Sequence, residues 1–217
     1  MIKERSTNMK AVVVDLELAQ NEGTTPKIIE IGAVCVHTKS HDVLSVFSKL
    51  ANPGELPCQR ITDLTGISKE MIQGALSLKE VLADFWLWFE NCKTGTELLS
   101  WGRGDVHLLV EASKELGVSY PEKIRCFDVK QFSSMFRQAR GSKAKGGLAN
   151  TLELFGINFE GKAHAAAVDS YNTAKVLFYI DQTIEFAYDT EKKFGPMKIR
   201  NENAASKQFF NKFDRKG

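Results

Sequence analysis

The sequence predicts an α/β domain with a five-stranded mixed sheet flanked by helices. Three observations predict it. Residues 10–16 form a continuous apolar, β-branched run of the kind that is buried on both faces. Two more strand-like segments follow in quick succession, which suits antiparallel pairing. Past residue 77 the apolar period changes, and strands begin to alternate with helices.

The elements follow in order. Lys10 to Leu16 is the central strand, Lys27 to His37 the second and His41 to Leu50 the third. The short Thr38-Lys39-Ser40 link suits a hairpin, and Asn52-Pro53-Gly54 with Leu56-Pro57 closes this β section. Ser77 to Asn91 places Val81, Leu82, Phe85, Trp86 and Phe89 at helical spacing. Trp86 and Trp88 on that stripe are expected to pack the core rather than stack on bases. Glu97 to Trp101 is the fourth strand, Val106 to Leu116 a helix ended by Gly117, and Ile124 to Asp128 the fifth strand. Helices are expected over Val129 to Gln138, Leu148 to Phe155 and Ala165 to Asp181, with a separate last helix over Thr183 to Lys193. Gly141 to Gly147, with Lys143 and Lys145, reads as a mobile basic loop.

Composition narrows the functional classes. The 217 residues are 43% hydrophobic and 26% charged, which excludes a wholly disordered chain. A net charge of +2 argues against a histone-like protein, but the charge is unevenly placed. From Lys192 onward eight basic residues face only Glu202 and Asp214, a net +6, so residues 1 to 191 carry −4. The chain divides on this basis into a domain over 1–193 and a basic tail over 194–217. Cys35, Cys58, Cys92 and Cys126 form no Cys-x-x-Cys pair, and no His stands at zinc-finger spacing from them. Cys35 and Cys126 sit in apolar runs and are expected to be buried thiols of a reducing compartment. Residues 1–8 have no apolar signal core, and the apolar run Phe85 to Phe89 is far too short to span a bilayer. A soluble, cytoplasmic protein with no membrane partner is expected.

Candidate chemistry lies in four places. Asp15 and Glu17, two apart at the end of the first strand, point to one face. Two charges at the end of a buried strand are costly unless a cation pairs with them; the alternative is a solvated strand end. Asp105 follows the fourth strand and opens a helix, where it serves either as a functional acid or as an N-cap. His164 and Asp169 stand five apart. They converge if His164 lies in the loop after Gly161 and Asp169 lies one turn into the next helix, on one face with Asn172 and Val176. Otherwise they are a surface His beside an ordinary helical acid. His107, near Asp105, is a rival base or part of a solvated helix face.

In their order, Asp-x-Glu on the first strand, Asp after the fourth and His-x4-Asp on a late helix, these residues resemble the DEDDh family of 3′-to-5′ exonucleases. The resemblance runs from about Lys10 to Asp181. Ile28-Ile29-Glu30-Ile31-Gly32-Ala33 is similar to the family's second strand, and Ile61-Thr62-Asp63-Leu64-Thr65-Gly66-Ile67 to the turn before its first long helix. Ser100-Trp101-Gly102 before Asp105, and Asn172 after Asp169, look most like the KapD-like subgroup related to small-RNA and histone-messenger trimming enzymes. Ala165 stands where the tyrosine subtype needs Tyr, so the histidine subtype fits.

The resemblance implies an RNase H-like fold and a two-metal exonuclease that releases nucleoside 5′-monophosphates from the 3′ ends of single-stranded RNA or DNA, with RNA preferred. It implies that Asp15 bridges two Mg²⁺ or Mn²⁺ ions, that Glu17 and Asp169 complete the first site, and that Asp105 holds the second. His164 would take the proton from the attacking water. Leu18, Thr65 and Ile67 would line the terminal nucleotide's pocket, while Leu64 and Ile67 also suit simple core packing. Two positions depart from the family: Leu18 stands where Thr, Ser or Cys is common, and Ala165 where a basic residue often follows the His. Both bear on nucleotide contacts and leave the acids and the base intact.

Two other functions fit the residues. One is a non-catalytic nucleic-acid-binding module, which would have no need of a two-metal acid cluster. The other is a proofreading or processing subunit docked on a protein partner through the tail, where Lys207-Gln208-Phe209-Phe210-Asn211-Lys212-Phe213 interleaves aromatics with charges. That segment also suits contact with bases and phosphates, packing on its own domain, or disorder. Removing the residues after Lys193 is expected to weaken affinity for single-stranded nucleic acid and flatten its salt dependence if the tail contacts phosphates. An unchanged salt slope in a binding titration rejects that contact.

Overall fold

The computed structural model describes residues 10–20, 23, 25–139, 141 and 146–194. The chain divides into two compact units, Met1–Ile180 and Asp181–Gly217. The first holds a single five-stranded sheet of order β3-β2-β1-β4-β5. β1 (Lys10–Ala19) is central because its run of Val12, Val13 and Val14 can be buried on both sides. β2 (Lys27–His37) pairs antiparallel with β1, and β3 (Val43–Leu50) antiparallel with β2. β4 (Glu97–Ser100) and β5 (Arg125–Asp128) continue the sheet in parallel from β1. The mixed sheet therefore matches the expectation from sequence.

Helices cover both faces, giving the three layers of an RNase H-like fold. Val12, Val14 and Leu16 pack with Leu82, Phe85 and Phe89 of α3 (Leu78–Cys92) and with Val106 and Leu109 of α4 (Gly104–Glu115). Ala11 and Val13 face the other way. They pack with Leu152 and Phe155 of α6 (Leu148–Phe155) and with Ala174, Val176 and Phe178 of α7 (Ala166–Phe194). α5 (Val129–Ala139) joins this second layer through Val129, Phe132 and Phe136. Asp15 and Glu17 continue the odd-numbered face of β1, so they lie on the α7 side.

α3 begins where Ser77 accepts the Glu80 N–H and the Glu80 carboxylate accepts back from Ser77, a capping box. Its stripe buries as expected. Trp86 is 2% exposed and donates its indole N–H to Ser113, while half-buried Trp88 donates to Ser45. Both indoles are thus committed to packing.

Several boundaries differ from the sequence reading. β1 does not end at Leu16 but pairs on to Ala19, with a bulge between Glu17 and Leu18, so both acids lie inside the ladder. Two short helices, α1 (Gln59–Thr65) and α2 (Lys69–Gln73), occupy a region read as a turn. They are stopped by Gly66 at φ 82° and started again by Ser68, which accepts the Met71 N–H. α4 starts at Gly104, ahead of Val106. The last two expected helices are one, because neither Gly nor Pro stands between Asp181 and Thr183 to end it. Cys126 is only half-buried, since it lies on a short strand toward the sheet edge, whereas Cys35 and Cys92 are buried; all four thiols are free. Lys143, Lys145 and the tail over 195–217 lie outside the described residues. Among the described residues no helix is long and apolar enough to cross a membrane.

Phe85 is fully buried in the core layer between α3 and the sheet, with ring contacts to Phe47, Trp86 and Phe89. Phe85→Ala is expected to lower stability by about 3–5 kcal/mol through the cavity left, as measured by urea unfolding.

Candidate active site

The parallel strands β1 and β4 end on the same edge of the sheet, where open α/β sheets place their ligands. Asp15 and Glu17 project from β1 onto the face covered by α7. Asp105 follows β4 as the second residue of α4, and its side chain makes no capping bond; Arg103 is the N-cap residue. Asp169 sits in the first turn of α7. His164 is in the loop between Gly161 and that helix, the arrangement that lets the two converge. It takes a left-handed backbone at φ 62°, and its N–H donates to Asp169 Oδ2 at 2.9 Å. The backbone thus turns tightly at the helix entrance while the imidazole stays exposed.

Glu17, His164 and Asp169 each bring one ligand-type atom to within 4.8 Å of the others, a group able to hold a metal ion. Asp15 and Asp105 lie around it and are felt through charge. Burial pushes the Asp15 carboxyl far up, and repulsion from Asp105, Asp169, Glu17 and Glu30 adds to it. Glu17 is pushed up to about 8 by burial, then by Asp169, Glu30 and Asp105. Asp105 is pushed up to about 7 by burial. Burial also raises Asp169, opposed by the His164 N–H and by the charge of His164 itself. Among the described residues, none of the four acids forms an ion pair with Lys or Arg. Buried like charges without a counter-ion favour either protonation or a cation.

The expected nucleotide-pocket residues are placed as follows. Leu18 is half-buried against the α3 core layer. Thr65 is 6% exposed; its hydroxyl donates to the Ile61 carbonyl and accepts the Ile67 N–H. Ile67 is buried in a small cluster with Ala19, Ile29, Ile61 and Ile72, whereas Leu64 is exposed. His107 lies on the exposed face of α4. Asn172 is fully buried and holds its neighbours: it accepts the Glu160 N–H and donates to the Glu160 and Val168 carbonyls. Asn172 thereby anchors the strand of chain that leads into the His164 loop.

Three residues near the site were not singled out from sequence. Lys162 donates to the Thr65 carbonyl at 3.2 Å, tying the His164 loop to the end of α1. Ser170 donates to the Gly32 carbonyl at 2.8 Å. Glu30 accepts the Ala166 N–H at 3.1 Å and faces Glu17 across the β1–β2 ladder. Glu30 was legible as an acid inside an otherwise apolar strand; the other two have no sequence signal.

Comparison with known proteins bears on this arrangement. The RNase T exonuclease family profile matches residues 12–177. ERI1 exoribonuclease 2 of Mus musculus is 28% identical over 188 residues, covering 75% of this chain and 27% of that protein. A PolC-type DNA polymerase III of Oceanobacillus iheyensis is 35% identical over 80 residues, covering 37% of this chain and 6% of the polymerase. The chain thus spans only about a quarter or less of the length of these curated relatives. Among solved structures, the nuclease domain of 3'hExo, a DEDDh family member bound to rAMP, superposes with a TM-score of 0.70 at 21% identity, covering 82% of this chain and 94% of that one. Cell-death related nuclease 4 gives 0.71 at 18% identity, covering 81% and 64%. These structural likenesses establish a shared fold.

The raised carboxyls have a stability consequence. Between about pH 4.5 and 8 the folded chain keeps protons that the unfolded chain has released, so its stability falls as pH rises through that window. In chelator, the Tm is expected to decline from pH 5 to pH 8 and to recover when Mn²⁺ is added at the upper end, as followed by circular dichroism. A Tm that rises over this range in chelator contradicts the carboxyl shifts.

Proposed function

The chain belongs to the RNase T exonuclease family, and from that premise we propose that it is a metal-dependent 3′-to-5′ exonuclease that removes nucleoside 5′-monophosphates from single-stranded 3′ ends, RNA in preference to DNA. The observation that carries the proposal is the meeting of Glu17, Asp169 and His164 beside two further half-buried acids that have no basic partner among the described residues. Binding alone would not require such a costly cluster, which weighs against a non-catalytic module.

The donor set fits Mg²⁺ or Mn²⁺: four carboxylates, hard and oxygen-only, with no thiolate among them. In this proposal Asp15, Glu17 and Asp169 would hold one ion, and Asp15 with Asp105 would hold the second. Ions bound there would stabilise the charge on the attacking and leaving oxygens of an in-line displacement. The chain's own contributions are positional. β1 fixes Asp15 and Glu17 on one face, and the first turn of α7 brings Asp169 to them. The His164 imidazole is exposed beside Asp169, where it takes a proton from the attacking water. For the terminal nucleotide's pocket, half-buried Leu18 would supply the wall, with buried Thr65 and Ile67 behind it.

Exoribonuclease relatives support RNA, while a KapD-like, small-RNA-trimming subgroup rests on the resemblance of the Ser100-Trp101-Gly102 segment alone. A 2′-OH contact would distinguish RNA from DNA. The match to PolC-type polymerases favours a second reading, a proofreading subunit that acts on DNA when docked on a protein partner, with the tail as its anchor. The exonuclease domain spans 1–193 and the basic tail 194–217, and four free thiols suit the cytoplasm.

The test is digestion of 5′-labelled single-stranded RNA and DNA with Mn²⁺. A ladder that shortens progressively and stops with chelator is expected. Asp15→Ala is expected to abolish it, and His164→Ala to lower kcat by about 10²–10⁴-fold. Full activity in Asp15→Ala, or no mononucleotide release by the unaltered chain, rejects the proposal.

A further inference from the structure

β2 carries two residues that belong to neither core layer. Glu30 and Gly32 lie on the same face as Val34 and Val36, the face that α7 covers. Their partners across the ladder are Glu17 for Glu30 and Asp15 for Gly32. On one face of an antiparallel pair, opposed residues are immediate neighbours. Glu30 therefore adds a fifth carboxylate beside four others: Asp15 and Glu17 feel its charge, and it feels that of Asp169. Such a group is costly unless it does something the fold needs.

Its contacts show what it does. Glu30 Oε2 accepts the N–H of Ala166, the first residue of α7, at 3.1 Å, and Oε1 accepts from the Ser48 hydroxyl at 3.5 Å. The first N–H groups of a helix have no partner within it, so Glu30 caps α7 from a neighbouring strand. Gly32 lets the helix come that close. A Cβ there would lie 2.0 Å from the Ala167 nitrogen and 2.1 Å from the Ala166 carbonyl carbon, distances that only a backbone shift could relieve. Ser170 adds a third point, its hydroxyl donating to the Gly32 carbonyl at 2.8 Å. The three contacts bracket Asp169 and follow directly on His164.

We propose that Glu30 is a positioning residue: with Gly32 and Ser170 it docks the first turn of α7 onto β2, and this dock sets where Asp169 and the His164 loop meet Glu17. It acts as a hydrogen-bond acceptor, not as a metal ligand. The link to turnover rests on the exonuclease proposal; the dock itself does not.

The experiment compares Glu30→Ala with Glu30→Gln, whose amide oxygen can still accept the Ala166 N–H. Glu30→Ala is expected to lower kcat by about 30-fold, as a small displacement of the site would. Its KM is expected to stay within about threefold of the unaltered chain, while Glu30→Gln recovers most of kcat. Amide hydrogen exchange over residues 166–170 is expected to speed up about tenfold in Glu30→Ala alone, with α3 unchanged. Ser170→Ala, which removes one hydroxyl, is expected to give the same pattern at a smaller amplitude. It serves as the test if Glu30→Ala does not fold. Equal losses in the Gln and Ala variants would identify charge or metal ligation as the role and overturn the proposal. Unchanged exchange in Glu30→Ala would also overturn it. If the unaltered chain shows no nuclease activity, the exonuclease proposal fails on its own, and the exchange measurement still decides whether the dock exists.

Discussion

Asp15, Glu17, Asp105 and Asp169 are held together where burial opposes the ionisation of all four and repulsion from neighbouring acids adds to it at Asp15 and Glu17. Much of the surrounding architecture makes sense as the means of keeping them there. A buried acid can lower its free energy by turning to water, by pairing with a cation or by taking a proton. Packing narrows the first route: Glu17 is buried, and Asp15, Asp105 and Asp169 are half-buried. β1 is pinned between β2 and β4, and α7 lies across the face from which the two strand acids project. Core burial on both sides of β1 supplies the free energy that holds the acids in place.

The site therefore depends on a few backbone alignments more than on its own side chains. The β1–β2 register puts Glu17 beside Glu30 and Asp15 beside Gly32. The absence of a side chain at Gly32 decides how near α7 can come, and Asn172 anchors the chain leading into the His164 loop. His164 is held at its backbone by Asp169, in a conformation a helix would not provide, so its imidazole stays outside the regular structure. Precision at the acids thus comes from residues that need never touch a substrate, as preorganised sites generally require.

Much of this was legible in the amino-acid order. The apolar run of β1 announced a central strand, and the two-residue spacing of Asp15 and Glu17 placed them on one face. The five-residue gap between His164 and Asp169 excluded a shared helix face and called for a loop-to-helix junction. Local rules failed where two influences competed. The acids at 15 and 17 suggested the end of a strand, yet cross-strand pairing carried β1 on to Ala19. The segment around Thr65 was expected to be a turn only from its resemblance to the family, whereas Gly66 and Ser68 divide two short helices there. Ile67 suited a pocket wall and a core equally, since one apolar side chain does not reveal its neighbours; it is buried with Ile29 and Ile72.

By itself the sequence determined the fold class and pointed, through the resemblance of its motif order, to the family and to five candidate residues, because strand alternation, helical period and the order of acids along the chain are local or linear properties. Tertiary structure alone decided that the Glu17 carboxylate, 147 residues earlier in the chain than His164, would come within 4.8 Å of its imidazole. It also decided that an acid in the second strand would cap the last helix. Both depend on how closely α7 approaches the sheet, and that distance is set by a missing side chain on one strand against the backbone of a distant helix, a relation that no local pattern encodes.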